Sequence, residues 1–352
     1  LAKYRVATIP GDGIGLEVVP EGRRVLDAAA AKFGFEIRWD LLDWGCDYYL
    51  RHGRMMPEDG LSLIASHDAI YLGAIGWPTV PDHVSVWQLI IPIRRQFRQY
   101  VNLRPVRLFE GVPCPLIGKK PGDIDFLIVR ENNEGEYSEI GGRIYQGFDD
   151  EIAIQQNIFT RRGVDRILRF SFELARRRPR RRLTSATKSN GIFHTMPFWD
   201  ERFKAMAATF PDVATEKFHI DILTAHFVRQ PEKFDVVVAS NLFGDILSDL
   251  GPAVSGTIGI APSANLNPER QYPSMFEPVH GSAPDIAGKN IANPIGQIWS
   301  GAMMLEHLGQ PQAAAAVIRA IERVLADGST RTPDMGGTAS TQALGLAVAD
   351  AI

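Results

Sequence analysis

Cysteine is scarce and shows no pairing pattern: Cys46 and Cys114 are the only two in 352 residues. That excludes a disulfide framework and suits a reducing compartment. No apolar run is long enough to span a bilayer, and no charged-then-apolar leader opens the sequence. A cytoplasmic protein without a membrane anchor is therefore expected. A strong excess of one charge sign is missing too: a net charge of −3 gives no global attraction to nucleic acid or to an anionic membrane. There is no internal repeat and no disordered-looking linker, so any second domain is expected to arise by the chain passing out and back.

What is present describes an ordinary globular enzyme-sized chain, with 45% apolar and 22% charged residues and length for about two domains. Ala69-Ile70-Tyr71-Leu72, Phe126-Leu127-Ile128-Val129 and Val236-Val237-Val238 read as strands covered on both faces, because they are apolar without alternation. Val164, Ile167, Leu168, Ser171 and Leu174 recur at helical spacing, and Gln312 to Ala326 reads as a helix stopped by Gly328. Alternation of this kind predicts an α/β fold. The stretch from Tyr137 to Gln156, with Gly141-Gly142 as a turn, reads as a two-stranded arm that wants a partner subunit. The run RRRPRRR, Arg176 to Arg182, reads as the solvated end of a helix, where cations meet the dipole. No aromatic residues interleave for base stacking, so nucleic acid is not expected as a partner.

The motif IPGDGIG, Ile9 to Gly15, follows a strand-like run and precedes a helix-like one. It only half fits the dinucleotide fingerprint, because the third glycine position falls on Leu16. A sharp strand-to-helix turn is the preferred reading. A stronger signal is FDVVVASNLFGDILSDLGP, in which a buried strand leads into a short helix closed by Gly251-Pro252. Asp245 and Asp249 lie four apart on one helical face, where like charges repel by a few tenths of a kcal/mol, on the order of 0.2–0.5. They suit either a solvated helix or a hard cation such as Mg²⁺ or Mn²⁺. In FEPVHGSAPDIAGKNIANP, backbone N–H groups of the turn suit phosphates, and Asp285 suits a ribose; a surface loop is the plain alternative. Arg94, Arg104 and Arg130 are the residue type that binds carboxylates in bidentate fashion, although each alone suits a surface ion pair.

Taken together, the HGSAPDIAGK…ANP loop, the NLFGDILSD helix, the NLRP at Asn102 to Pro105 and the opening PGDGIG resemble the β-decarboxylating dehydrogenase family from end to end. Its members act on isopropylmalate, isocitrate, D-malate and tartrate. The resemblance implies an isopropylmalate/isocitrate dehydrogenase-like two-domain α/β fold with a mixed central sheet, not a Rossmann fold. Residues 1–103 and 256–352 would form the first domain, 104–255 the second, and the arm at 137–156 would lie at a homodimer interface. It implies NAD, Mn²⁺ or Mg²⁺, and room for a monovalent cation such as K⁺. Asp245, Asp249 and the other subunit's Asp221 would hold the metal, and Arg94, Arg104 and Arg130 would clamp carboxylates. Lys188, also from the partner chain, would take the C2 hydroxyl proton, and Tyr137 would protonate the product carbon. His280, Gly281, Ser282, Ala283 and Pro284 would embrace the adenosine, Asp285-Ile286 would mark an NAD user, and Asn293 would meet the adenine. The GDGIG turn would border the nicotinamide end.

The family selects its substrate on the helix before the clamp, here VSVWQLIIPIRR, Val84 to Arg95. Isopropylmalate enzymes place a Glu where this chain has Trp87, and isocitrate enzymes a Ser where it has Gln88. Trp87 with Ile90 and Ile91 implies a pocket for a small C3 substituent, hydrogen or hydroxyl. That gives D-malate or tartrate, with 3-isopropylmalate as the alternative; Gln88 is a candidate for bonding a C3 hydroxyl.

Overall fold

The nearly continuous apolar runs fold as strands buried on both faces. The computed structural model describes residues 1–352. Its strands are β1 (Ala2–Gly11), β2 (Phe35–Leu41), β3 (Ala69–Ala74), β4 (Val101–Arg107), β5 (Asp125–Glu131), β6 (Gly141–Ile144), β7 (Ile152–Gln155), β8 (Arg182–Thr187), β9 (Ala214–His219), β10 (Val236–Ala239), β11 (Pro262–Leu266) and β12 (Ser274–Pro278). Ten of them make one sheet in the order β2-β1-β3-β12-β11-β4-β5-β10-β8-β9. Both flanks are parallel, as helical crossovers require, whereas β12–β11, β11–β4 and β4–β5 pair antiparallel. The chain thus leaves the first flank along β4 and returns along β11. This mixed sheet is not a Rossmann sheet, in agreement with the expectation.

Two large apolar clusters lie on this frame. One, of 30 buried residues, is drawn from Tyr100 to Leu247; the other, of 29, joins both ends of the chain, from Val6 to Val112 and from Ile260 to Val348. Leu103 and Leu266 pack against both. The helix Arg161–Arg177 buries Val164, Ile167, Leu168 and Ser171 as its periodicity predicts, and Thr160 caps it by accepting from Gly163 N at 3.0 Å. The arginines beyond it are held locally. Arg176 pairs with Asp212, Arg178 with Asp125 and Asp235, and Arg180 bonds the carbonyls of Glu232 and Phe234.

One boundary differs from expectation. The helix after β10 runs Asn241–Ser255, straight through Gly251-Pro252. Gly251 is there for packing rather than stopping: a Cβ would stand 2.5 Å from Val106 Cγ2 on β4.

β6 and β7 pair from Gly141↔Gln155 to Ile144↔Ile152 as a separate two-stranded ribbon, with every residue exposed. Ile144, Tyr145, Phe148, Ile152 and Ile154 present apolar surface to water on an element that is marginal alone. No helix is long and apolar enough to cross a membrane.

Candidate active site

Strand ends and one irregular helix bring the predicted clamp together. The helical stretch from residue 82 to 96 contains a π-helical turn, Val86–Ile90, in which Ile91 N reaches back to Val86 O. Such a turn inserts one residue and re-aims side chains, as helices often do at functional sites. Val86, Trp87, Ile90, Ile91 and Arg94, on one face of this stretch, line one cleft of about 420 Å³ with Asp82, His83, Arg104, Arg130, Tyr137 and Asp245. Gln88 is exposed and does not line it, so its proposed contact with a C3 hydroxyl has no support in the geometry.

Arg104 comes from β4 and Arg130 from the end of β5, one strand away. Arg130 Nε and Nη2 both donate to Asn241 Oδ1, at 3.0 and 2.8 Å, while Nη1 donates to Asp245 Oδ1. Arg104 donates to Ser248 Oγ and stands 3.7 Å from Asp245 and 3.9 Å from Asp249. Tyr137 Oη donates to Asp245 Oδ2 at 2.7 Å. Burial works against ionisation of Asp245, but Arg130 and Arg104 more than offset it and hold the carboxyl below its ordinary range. Burial pulls the Arg130 guanidinium down to about 10, against Asp245. Burial and the Asp245 carboxylate push the Tyr137 phenol up to about 12, so it stays a proton donor.

Sequence reasoning missed what holds Arg94. Its Nη2 donates to Glu277 Oε1 at 2.7 Å, and Asn265 Nδ2 donates to the same oxygen at 2.7 Å. Asn265 Oδ1 in turn accepts from Asn102 and Asn132, both at 2.9 Å. An acid one residue from the end of a fully buried strand was the available signal. Arg94 Nε and Arg104 Nε find no partner within the chain.

The opening loop lies beside the HGSAPD turn. Gly13 packs on the Ser282 carbonyl, which a Cβ would approach to 2.1 Å, and Ile14 N donates to Ser282 O at 2.9 Å. Asp12 ties the loop down, accepting from Cys46 N and Gly76 N at 2.7 and 2.8 Å. Its three glycines thus serve close backbone packing on β3 and on the His280 turn. Ile14, His280, Ala283, Ile286 and Asn293 line a pocket of about 230 Å³ with Thr257, Ile258, Gly259 and Asp334. Ile14 brings the GDGIG turn to the edge of this pocket. Ala283 holds a left-handed φ of 42°, the kind of strain that clusters at ligand clamps. Asn293 is engaged: Nδ2 donates to Asp334 Oδ2 and Oδ1 accepts from Ile295 N, both at 3.0 Å. Asp334, within the irregular TPDMGG stretch, was not read from sequence. Gly281, Pro284 and Asp285 are exposed at the rim, and Ser282 is buried. Burial lowers His280, leaving a neutral ring whose Nδ1 meets Gly281 O at 2.9 Å.

Lys188 and Asp221 stand apart from both pockets. They follow the neighbouring parallel strands β8 and β9, paired at Thr187↔His219, and form an ion pair of 2.9 Å. No group of three His, Cys, Asp or Glu side chains within the chain is placed to hold a metal ion, so Asp221 does not complete a set with Asp245 and Asp249.

A mixed sheet with an arginine cluster at its antiparallel centre and a loop-built apolar pocket beside it defines a two-pocket α/β protein distinct from the Rossmann folds. The chain belongs to the isocitrate/isopropylmalate dehydrogenase family, whose model matches residues 5–348. Over 99% of its length it is 63% identical to the tartrate dehydrogenase/decarboxylase of Pseudomonas putida, covering 98% of that protein. It is 64% identical to the D-malate dehydrogenase (decarboxylating) of Escherichia coli K12, with 99% and 97% covered. Among solved structures it superposes on isocitrate dehydrogenase from Methylococcus capsulatus with a TM-score of 0.90, at 34% identity over 99% of both chains.

Proposed function

We propose that this chain is an NAD-dependent, divalent-metal-dependent dehydrogenase that oxidises a small 2-hydroxy dicarboxylic acid, tartrate or D-malate, and decarboxylates D-malate to pyruvate and CO₂. The observation that carries this reading is one cleft in which Arg94, Arg104 and Arg130 converge beside Asp245 and Tyr137, under a wall of Trp87, Val86, Ile90 and Ile91. Three guanidiniums match the two carboxylates of a four-carbon acid. The indole leaves space for hydrogen or hydroxyl at C3, and no acid stands at position 87 to favour an isopropylmalate enzyme. The identities to tartrate and D-malate dehydrogenases support the same choice.

The donor set fits a hard divalent cation. Asp245 and Asp249 stand one helical turn apart, and burial together with the Asp245 charge raises Asp249 despite Arg104, a strain that a cation relieves. We assign Mn²⁺ or Mg²⁺ to Asp245, Asp249 and Asp221 of a second copy. When bound, the cation supplies Lewis-acid polarisation at C1 and C2, and the dinucleotide a hydride acceptor. Arg94, Arg104 and Arg130 hold the carboxylates against the cleft wall. Lys188 of the second copy takes the C2 hydroxyl proton, and after CO₂ is lost Tyr137 returns a proton to C3. His280 to Pro284 hold the adenosine side, with Ile286 in the pocket wall and the Asp285 carboxylate on the ribose. The Asn293 side chain is engaged, so contacts to the adenine fall to its backbone.

Shared sites require a homodimer, and the exposed apolar ribbon at 137–156 suits the joint. The two apolar clusters support a division into residues 1–103 with 256–352 and residues 104–255, with Tyr100 and Val101 in the second core and Phe109 and Val112 in the first. Two unpaired thiols, one of them buried, suit the cytoplasm. The test is NADH formation with NAD⁺ and Mn²⁺ on D-malate, L-(+)-tartrate, meso-tartrate, 3-isopropylmalate and isocitrate. Turnover of malate and tartrate alone is expected. Preference for 3-isopropylmalate would overturn the small pocket, and silence on all five would overturn the enzyme reading.

A further inference from the structure

We propose that Arg95 is a positioning residue that fastens the two walls of the cleft and sets its size selectivity. The inference rests on the small-dicarboxylate reading above. Arg94 and Arg95 are chain neighbours on a helix, so they point about 100° apart. Arg94 turns into the cleft, and Arg95 lies across its rim. Three contacts converge on the Arg95 guanidinium. Its Cζ sits 5.0 Å from the centroid of the Trp87 ring. Nη2 donates to the backbone carbonyl of Tyr137 at 3.0 Å, and Nη1 donates to Glu139 Oε2 at 2.5 Å.

Trp87 belongs to the wall that selects the C3 substituent, whereas Tyr137 belongs to the loop between β5 and β6 that carries the proton donor. One side chain therefore registers the two walls against each other. Arginine suits this task, because its guanidinium lies over an indole face while its fixed fork of N–H groups donates hydrogen bonds; lysine offers a point charge without the planar fork. Glu139 is 68% exposed, so its ion pair contributes little. The stacking and the Tyr137 carbonyl carry the effect. Without Arg95 the indole loses the group that fixes its face, and the pocket it bounds widens.

The test compares wild type, Arg95→Gln, Arg95→Lys, Trp87→Phe and the Trp87→Phe/Arg95→Gln double variant. The readouts are kcat and KM on D-malate and the inhibition constant of 3-isopropylmalate, whose ratio to KM reads the preference between the two acids, with thermal midpoint and dimer mass followed alongside. Arg95→Gln should lose about tenfold in kcat/KM on D-malate. Its preference for D-malate over 3-isopropylmalate should fall about threefold. Arg95→Lys, which keeps the charge without the plane and guards against a folding defect, should lose the selectivity as well. In the Trp87→Phe background the Arg95 substitution should cost much less selectivity, the non-additivity expected of residues in contact. Selectivity losses that are equal in both backgrounds, or an Arg95→Gln enzyme within twofold of wild type, would overturn the role of Arg95 alone. A wild type that turns over neither D-malate nor tartrate overturns the functional reading, and this proposal with it.

Discussion

Replacing Glu277 by Ala tests whether the clamp is set from beneath. One carboxylate oxygen of Glu277 accepts from both Arg94 and Asn265, each at 2.7 Å. The Arg94 and Glu277 side chains are only 11% and 9% exposed. Truncation leaves a nearly buried guanidinium without its counter-ion, and leaves Asn265 Nδ2 with only a 3.5 Å contact to Met275 O. Removing one partner of a buried pair costs about 3–5 kcal/mol, and this variant should fall in that range. Glu277→Gln keeps an acceptor for both donors and loses only the charge, so it should cost about 1–2 kcal/mol. Urea unfolding at one fixed protomer concentration measures both, since the midpoint of a dimer moves with concentration. Activity gives a second reading. A freed Arg94 should lower kcat/KM on D-malate roughly ten- to hundredfold, mostly through KM, because a charge-assisted hydrogen bond contributes about 1.5–3 kcal/mol. An Ala variant within about 1 kcal/mol of wild type and with unchanged KM would refute the argument, since measured costs of breaking such pairs lie well above that.

Four further outcomes are expected. Replacing Ile144, Ile152 and Ile154 of the arm by Ser should give a monomer by sedimentation that forms no NADH, because Lys188 and Asp221 would no longer reach a second site; a fully active monomer would end the shared-site reading. Burial, with Arg270 adding, pushes His307 down to about 4 from an ordinary value of 6.5. The unfolded chain binds the extra proton between those values, so stability should fall by up to about 3 kcal/mol as pH drops from 6.5 to 4, and His307→Leu should flatten that slope in acid unfolding. Asp285→Lys should shift preference from NAD⁺ toward NADP⁺, read as the ratio of kcat/KM values, because an acid at the ribose repels a 2′-phosphate. Chelation should abolish NADH formation, with Mn²⁺ restoring it, and Asp249→Asn should raise the Mn²⁺ concentration needed at little change in thermal stability.

Much of this was legible in the sequence, for identifiable reasons. Buried parallel strands show as unbroken apolar runs, and β3 and β10 lie where Ala69 to Leu72 and Val236 to Val238 foretell them. The clamp arginines, Asp245 and Tyr137 meet in one cleft, as the motifs imply. What escaped was contact between distant segments. Glu277 and Asn265 hold Arg94 from strands β12 and β11, which are more than 160 residues away in the chain. Gly251-Pro252 reads locally as a stop, yet packing on Val106 carries the helix past it. Gln88 is singled out by its position relative to family members, yet on the helix it faces away from Arg94, and it is exposed outside the cleft that Trp87 lines.

The division of the site follows from the same distinction between order along the chain and proximity in space. Within one chain the cationic cleft gathers Arg94, Arg104 and Arg130 around Asp245, whereas Lys188 and Asp221 form a self-neutralising pair at the ends of β8 and β9. No third donor accompanies Asp221 within the chain. The cleft likewise has two carboxylates at hand, already facing Arg130 and Arg104. In the proposed mechanism each half would supply what the other lacks: an added carboxylate and a base on one side, an anion clamp and a proton donor on the other. In the proposed homodimer, two copies related by a twofold axis would bring each half against its complement twice, so a single isologous interface would complete both sites. On this reading the apolar ribbon at 137–156, adjoining Tyr137 itself, couples assembly to catalysis.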